Sequence, residues 1–401
     1  MTKAELLAPA GNLNKLKTAL YFGADAVYAG GKAFSLRTFA DNFTDEELAE
    51  GVAFAHARGK KVYVAANIFA RNADFARLSE YLAFLQEIGA DAVLMSDPGA
   101  IALKNQVAPR LPLHISTQAN TTNARSAAFW RAAGASRVVL ARELSLAEIG
   151  EIAAYNPGLE LEAFVHGAMC ISYSGRCLLS DYLDGRSSNR GACVQACRWK
   201  YEVRSDQAKN GGWLDLSEDS KGTYLLNSKD LNMSAHLREL AAAGVCSFKI
   251  EGRMKSEYYL ATVVNAYRRI LDEGYSDALG NELNCVAHRA YTTAYAFEEN
   301  HETVNYDDSQ TKGDCEYIAN VLSWQDGRAC VEMRNRFYEG DELEILSPNE
   351  SFARSFPVRG MRDRAGEPCT DAKRVQEIYS FDCPYPLAEG DILRRRVKAQ
   401  K

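Results

Sequence analysis

Four cysteines fall within 28 positions of a 401-residue chain: Cys170, Cys177, Cys193 and Cys197. Six residues separate the first two, fifteen lead to the third, and three more to the fourth. A CxxxC pair can chelate from one turn of chain, and four thiolates complete the shell of a tetrahedral ion or an iron–sulfur cubane. Structural zinc sites more often use CxxC pairs, so the wider spacing tilts the reading toward a cluster, with zinc the alternative. Thiols that serve as small buried hydrophobes sit in apolar surroundings, whereas this stretch is rich in Gly, Ser and Arg. The other six, Cys246, Cys285, Cys315, Cys330, Cys369 and Cys383, are scattered and read as packing residues.

A second set of polar residues stands where apolar runs end. Its catalytic candidates are His166, Glu143, Lys249 and Glu251, able to move protons or stabilise charge. Its binding candidates are Arg142, Arg253, Gln118, Asn120 and Asn67, with Asp97 at an equivalent place. Lys249, Glu251 and Arg253 alternate, so one strand would project all three the same way. That predicts either a cationic pocket for a carboxylate or phosphate or a structural ion-pair triad. Arg186, Arg190, Arg198 and Lys200 surround the second cysteine pair and could place a polyanion beside it. Arg394-Arg395-Arg396 forms another basic run, of the kind that is usually a solvated face. No GxSxG or HExxH motif is present, and Cys170 with His166 is the one pairing a thiol peptidase could use.

The elements that must position these groups are written as a loose repeat. Gly23-Ala24-Asp25-Ala26-Val27-Tyr28 recurs as Gly89-Ala90-Asp91-Ala92-Val93-Leu94 and again as Gly134-Ala135-Ser136-Arg137-Val138-Val139. Gly59 and Gly244 precede similar runs. Each glycine suits the left-handed residue after a helix, and each run suits a buried parallel strand. Upstream spacing is helical, as in Leu78, Leu82 and Leu85, and Thr44 with Glu47 predicts a capping box. With Glu5–Pro9, Leu113–Thr117 and Leu161–Val165 added, about eight βα units appear, which predicts an α/β fold of the (β/α)8 TIM-barrel type. Cys170 then follows the seventh strand on the face where barrel active sites lie.

From about Cys315 the style changes to short β runs, Tyr317–Leu322, Arg328–Met333, Glu342–Leu346 and Ile392–Arg396, which predict a small all-β barrel. The expected organisation is a barrel over 1–275, a connection over 276–312 and a β domain over 313–401. A net charge of −6 does not draw polyanions to the whole surface, though a local basic patch still could. The N-terminal stretch has no long apolar run, which predicts no signal peptide, no membrane anchor and a reducing, cytoplasmic setting.

These motifs together resemble a known family. Glu162-Ala-Phe-Val-His166-Gly-Ala-Met-Cys170, Ser174-Gly-Arg-Cys177 and Asn189-Arg-Gly-Ala-Cys193-Val-Gln-Ala-Cys197-Arg-Trp-Lys-Tyr201 carry much of the likeness. Asn227-Ser-Lys-Asp230, Lys249-Ile-Glu-Gly-Arg-Met-Lys-Ser256 and His288-Arg-Ala-Tyr-Thr-Thr293 carry the rest. The pattern resembles the collagenase-like peptidase family of unknown catalytic type, whose better-understood members hydroxylate RNA bases or ubiquinone. Length and the trailing β domain are most similar to the tRNA-acting branch. That resemblance implies oxygen-independent hydroxylation of a wobble uridine at carbon 5, with tRNA as partner and prephenate, a small dicarboxylate, as oxygen-donating co-substrate. It implies a [4Fe–4S] cluster on Cys170, Cys177, Cys193 and Cys197. Some relatives place a ligand cysteine where this chain has Asn232, which makes Cys197 the natural fourth ligand. A peptidase, as the family label says, and an accessory subunit working with a related second chain or as a homodimer are the other readings.

Overall fold

A computed structural model describes residues 4–35, 41–199, 228–297 and 313–397. Lys200, Tyr201 and Asn227 of the motifs above, and 298–312 of the expected connection, lie outside the described residues. By contact the chain forms two compact units, one of Met1–Lys17, Asp25–Lys255 and His288–Thr311, the other of Thr18–Ala24, Ser256–Ala287 and Lys312–Lys401.

The first unit is the expected barrel. Its strands are β1 (Glu5–Pro9), β2 (Ala26–Ala29), β3 (Lys61–Ala65), β4 (Ala92–Met95), β5 (Leu113–Ile115), β6 (Ala135–Val139) and β7 (Glu160–Ala168). After a short β8 (Asp230–Asn232), β9 (Val245–Ile250) pairs in parallel with both β7 and β1 and closes the ring at eight strands. The runs are apolar because a strand walled by helices outside and by the barrel lumen inside has no wet face. The helix-ending glycines take the left-handed conformation that the repeat predicts, with φ of +65° at Gly59 and +96° at Gly134. The Thr44–Glu47 capping box opens the helix Asp45–His56. Leu78, Leu82 and Leu85 bury one face of the helix Phe75–Glu87.

One departure bears on the site. β7 runs past the barrel rim, where β8 pairs antiparallel to its end (His166 opposite Asn232) and β10 (Tyr291–Thr292) pairs in parallel with β8. This extra ribbon has only three and two residues in its added strands, too short for any periodic signal.

The second unit holds the helices Glu257–Glu273 and Asp277–Glu282 and an antiparallel, nearly closed barrel. Its strands are β11 (Cys315–Gln325), β12 (Arg328–Met333), β13 (Phe337–Tyr338), β14 (Glu342–Leu346), β15 (Ser355–Pro357), β16 (Arg359–Arg362), β17 (Asp371–Ala372), β18 (Ile378–Asp382) and β19 (Ile392–Arg396). Seven of them run in the order β15-β14-β19-β11-β12-β18-β16 around a core of Val331, Phe337, Ile345, Phe356 and Phe381. The basic run Arg394-Arg395-Arg396 grades from buried through half-buried to exposed, so only its last member is solvated as expected. Arg394 is wholly buried against Glu344 (2.7 Å) and Glu282 (2.5 Å), and Arg395 holds Glu316 (2.6 Å) and Asp341 (2.7 Å). Arg396, though exposed, returns to Glu344 (2.7 Å) and Glu282 (2.8 Å), so each arginine of the run is paired with carboxylates. Among the described residues no helix is long and apolar enough to cross a membrane.

Candidate active site

Inside the barrel the lower layer is polar. Glu5, Tyr63, Arg137, Glu162 and Ser247 point inward from five strands. Arg137 bonds Glu5 (2.6 Å) and Glu162 (3.1 Å), and its Nε donates to Glu160 (2.8 Å). The Tyr63 hydroxyl donates to Glu5 (2.7 Å), and the Ser247 hydroxyl reaches Glu5 (2.9 Å) and Glu162 (3.2 Å). Above them Lys249 Nζ donates to Glu162 (2.7 Å) and lies 4.3 Å from the centre of the Tyr28 ring. Burial would raise the Glu162 carboxyl, but Lys249 and Arg137 outweigh it and hold the group below its ordinary range, so it is ionised. Glu5 and Glu162, with the exposed Glu160 at the edge, therefore offset Arg137 and Lys249, whose charges would be costly if buried unpaired.

This layer floors a cavity of about 140 Å³ at the C-terminal end of the strands, the end where barrel active sites are built. Tyr28, Leu94, Val139 and Phe164 give it apolar walls. Of the expected polar residues, Asn67, Gln118, Arg142, Lys249, Glu251 and Arg253 all line it. Their pairing differs from the expected strand of three charges, because β9 ends at Ile250. Lys249 serves Glu162, Glu251 lies 3.8 Å from Arg142, and Arg253 donates to the Ser35 hydroxyl at 2.7 Å. Arg142 lies over the Phe164 ring, 3.9 Å from its centre, and donates to the Ala168 carbonyl (2.8 Å).

Four expected residues stand elsewhere. Asp97 caps the helix Pro98–Val107 by accepting from Ala100 N–H. Asn120 takes a left-handed conformation and donates to the Gln118 carbonyl (2.9 Å), supporting its neighbour without lining the cavity. Glu143 is partly buried away from the wall, and that burial raises its carboxyl. His166 is the main correction. A register shift between Phe164 and His166 breaks the alternation that would have aimed it inward. Its ring instead packs toward Tyr291 on the extra ribbon, 5.6 Å between ring centres, while its carbonyl accepts Glu251 N–H (2.9 Å) and so fixes the start of the loop that carries Arg253.

Burial pushes the His166 imidazole down to about 3, and burial does the same to His114 beneath the cavity. Both rings stay neutral in the fold while the unfolded chain protonates near 6.5, so acid favours unfolding from that pH downward toward 3. The expected loss between pH 7 and pH 5 is about 4 kcal/mol for the two together. Urea midpoints at the two pH values check it. His166→Gln should halve the dependence, and a midpoint indifferent to pH would contradict the burial argument.

The four cysteines meet at the same cavity, brought there by the loop that follows β7. Serine hydroxyls cross-link that loop: Ser188 donates to the Cys177 carbonyl (2.6 Å), and Ser180 donates to Arg186 O (2.6 Å) while accepting Val194 N–H (3.1 Å). Arg190 anchors the loop to the barrel through Phe69 O (2.9 Å) and Asp74 (3.0 Å), so it is occupied and does not await a polyanion. Cys193 Sγ accepts the Gln195 backbone N–H at 3.4 Å. Burial raises the Cys197 thiol, Arg198 opposes this, and the charges of Cys170, Cys193 and Cys177 raise it further. Four thiolates this close repel one another, so a cationic centre among them is what would keep all four ionised. Among the described residues no three His, Cys, Asp or Glu side chains are arranged to chelate one ion, which would need sulfurs about 3.8 Å apart around zinc. Asn232, the alternative ligand position, is spent on Ser234 N–H (3.0 Å).

Sequence reasoning missed Ser172, Asn189, Glu162 and Arg137. The last two had a signal, since Arg137 is the lone charge of β6 and Glu162 is a charge flanked by apolar residues in β7.

Residues 11–306 match Peptidase family U32, and 314–394 match the Peptidase family U32 C-terminal domain. The chain is 38% identical over 406 residues to the tRNA hydroxylation protein P1 of Bacillus subtilis (strain 168), spanning 98% of this chain and 95% of that one. It is 38% identical over 413 residues to the tRNA hydroxylation protein P of Escherichia coli (strain K12), spanning 92% and 91%. A third relative, the 23S rRNA 5-hydroxycytidine C2501 synthase of Escherichia coli (strain K12), is 38% identical over 270 residues, 67% of this chain and 39% of that one. The first of these matches spans well over half of the chain, and on that ground the chain belongs to peptidase family U32.

Proposed function

We propose that this chain hydroxylates tRNA, converting a wobble uridine to 5-hydroxyuridine in the barrel cavity. The observation that carries the reading is a set of buried polar atoms without partners, all on that cavity: Asn67 Oδ1, Gln118 Oε1, Ser172 Oγ, Asn189 Oδ1 and Arg142 Nε. Each such atom costs about 1–3 kcal/mol unless a ligand satisfies it. A flat ligand with both donors and acceptors would satisfy part of this set: a flipped-out pyrimidine offers one N–H to one of the three amide oxygens and carbonyls to Ser172 and Arg142, leaving the other two amide oxygens to the co-substrate or water. The relatives that act on RNA support the same substrate class.

Replacing a C5 hydrogen by hydroxyl is a two-electron oxidation. A co-substrate that gives up a hydroxyl and receives hydrogen balances it (R–H + R′–OH → R–OH + R′–H), and prephenate has such a hydroxyl. Arg253 and Arg142 would hold its two carboxylates, since guanidinium groups match them in pairs of bonds. Glu251, beside Arg142 on the cavity wall, would take the C5 proton. Cys170, Cys177, Cys193 and Cys197 would hold a [4Fe–4S] cluster, which supplies a Lewis acid or an electron conduit beside the base. A peptidase using Cys170 and His166 is disfavoured, because an imidazole held down to about 3 is a poor base for a thiol.

The test is nucleoside mass spectrometry of tRNA from a strain deleted for this chain and complemented with wild type or Arg142→Met. Wild type should restore 5-hydroxyuridine, and the variant should leave about a tenth or less, the equivalent of one lost charge-assisted contact. Unchanged 5-hydroxyuridine in the deletion strain would sink the reading. Restoration only when a second related chain is supplied would favour an accessory role.

A further inference from the structure

Two of the scattered cysteines, 30 positions apart in the chain, meet in the second unit. Cys285 ends the helical turn Leu283–Cys285, and Cys315 opens β11. Their sulfurs stand 2.8 Å apart. Non-bonded carbon atoms already rest about 3.5–4.0 Å apart and sulfur is larger, so packing alone does not set two thiols this close. A disulfide needs about 2.05 Å, less than one ångström nearer. A shared metal ion would instead hold two sulfurs about 3.8 Å apart. Among the described residues no third His, Cys, Asp or Glu joins the pair to chelate one.

The backbone fixes this approach. Asp314 N–H donates to the Asn284 carbonyl (2.8 Å), and Val397 N–H donates to the Asp314 carbonyl (2.8 Å). Gly313 passes so close to Cys285 that a Cβ there would lie 2.6 Å from its carbonyl oxygen. Arginines stand beside the sulfurs. Arg396 donates to Cys285 Sγ at 3.6 Å and lies opposite Cys315 in the β11–β19 ladder. Sharing a proton with Cys285 lowers the Cys315 thiol below its ordinary range, against burial. Arg394 and Arg396 add to that lowering, and Glu344 opposes them. Cys315 keeps 9% exposure while Cys285 has none, so Cys315 is the sulfur that an oxidant meets first.

The pair also stands at the base of an excursion. The chain leaves the second unit after Ala287 and rejoins it at Lys312, and the residues between belong to the first unit. There Arg289 holds Asp230 (3.0 Å), and Tyr291–Thr292 pairs with β8 as β10. We propose that Cys285 and Cys315 are a redox-active pair that a peroxide converts to a disulfide, sealing the base of the segment that carries β10. The Cys315 thiolate attacks one peroxide oxygen, giving a sulfenic acid and a hydroxide, which takes up the proton that Cys315 released. The Cys285 thiol then displaces the sulfenic hydroxyl as water, so two thiols and one peroxide become one disulfide and two waters. A dithiol reverses the bond by exchange. Neither sulfur lines the barrel cavity, so the pair does not depend on the hydroxylase reading.

Peptide mapping of the full chain without reductant tests it. Reduced protein is treated with hydrogen peroxide, quenched in acid, alkylated in denaturant and cut with trypsin. Trypsin leaves Cys285 as the one cysteine of 270–289 and Cys315 as the one cysteine of 313–328. These peptides should appear linked, two hydrogens lighter than their sum, in most of the treated wild type and in little of the untreated protein. Dithiothreitol should separate them. Peroxide should also raise the thermal midpoint of wild type by at least about 3 °C more than that of Cys315→Ala, because the ring restricts the unfolded chain. Both cysteines alkylated after peroxide, each carried to sulfinic acid unlinked, or either joined to a different cysteine would overturn the proposal, and that result needs no variant to fold. A link present before peroxide and untouched by dithiothreitol in the native protein overturns it too, and makes the bond a permanent staple.

Discussion

Glu162→Gln is expected to lower the free energy of unfolding by about 3–5 kcal/mol, the usual result of removing one partner from a buried ion pair. Glu162 is fully buried and receives Arg137, Lys249 and Ser247. An amide in its place keeps the shape but leaves the buried Lys249 without its carboxylate, while Arg137 retains Glu5 and the exposed Glu160. Lys249 can relieve this by releasing its proton, since burial already lowers its ammonium below the ordinary value. The unfolded chain keeps that proton until about pH 10.4, so the variant should regain stability as pH rises above neutral. Urea denaturation at pH 7 and pH 9 reads both effects. Pairing the change with Lys249→Met should recover most of the loss, because the unpaired buried ammonium is gone and Arg137 keeps Glu5 and Glu160. A loss under 1 kcal/mol at pH 7 would mean that water reaches the layer and that the floor of the cavity is not dry.

That ionic floor also marks where sequence reasoning stops. The barrel was legible because a parallel strand buried on both faces must be apolar and a helix must end before it, so each βα unit repeats a glycine and an apolar run. All eight strands appear where those runs lie. The cysteines were legible too, since spacing and the polar loop around them carry the signal. The orientation of individual groups was not. Strict alternation aims Glu162, Phe164 and His166 the same way, and one register shift sends His166 to the ribbon of β8 and β10. The same rule extended one strand through Arg253, although β9 ends three residues earlier. Ser172 and Asn189 reach the cavity from an irregular loop whose path depends on Ser180, Ser188 and Arg190, and no periodicity encodes that. The arginine run of β19 looked like solvent-facing charge, because its partners, Glu282, Glu316, Asp341 and Glu344, are 50 to more than 100 residues away.

Serine at Cys177, Cys193 or Cys197 is expected to remove most of the iron from anaerobically purified protein and to cut 5-hydroxyuridine formation about 100-fold or more, about 2.7 kcal/mol of barrier or greater. Serine is nearly isosteric with cysteine, so folding is spared, but its hydroxyl stays protonated and hard where soft thiolate is needed. Cys170 should behave differently by degree. It is the exposed member of the four, and three remaining thiolates can still hold a cubane with one iron open to solvent, so Cys170→Ser should keep more iron than the other three variants. Cys383→Ser is the control, because that thiol is buried in the core of the other unit and should leave iron unchanged even if stability falls. Iron and sulfide analysis with low-temperature electron paramagnetic resonance separates the outcomes. One zinc per chain and no sulfide would replace the cluster by a tetrahedral ion. Full iron in all four variants would detach the cysteines from the cofactor altogether. Loss of activity with iron retained, confined to Cys170→Ser, would instead make that thiol a reacting group at the cavity wall, and only that result would revive the nucleophile reading of Cys170.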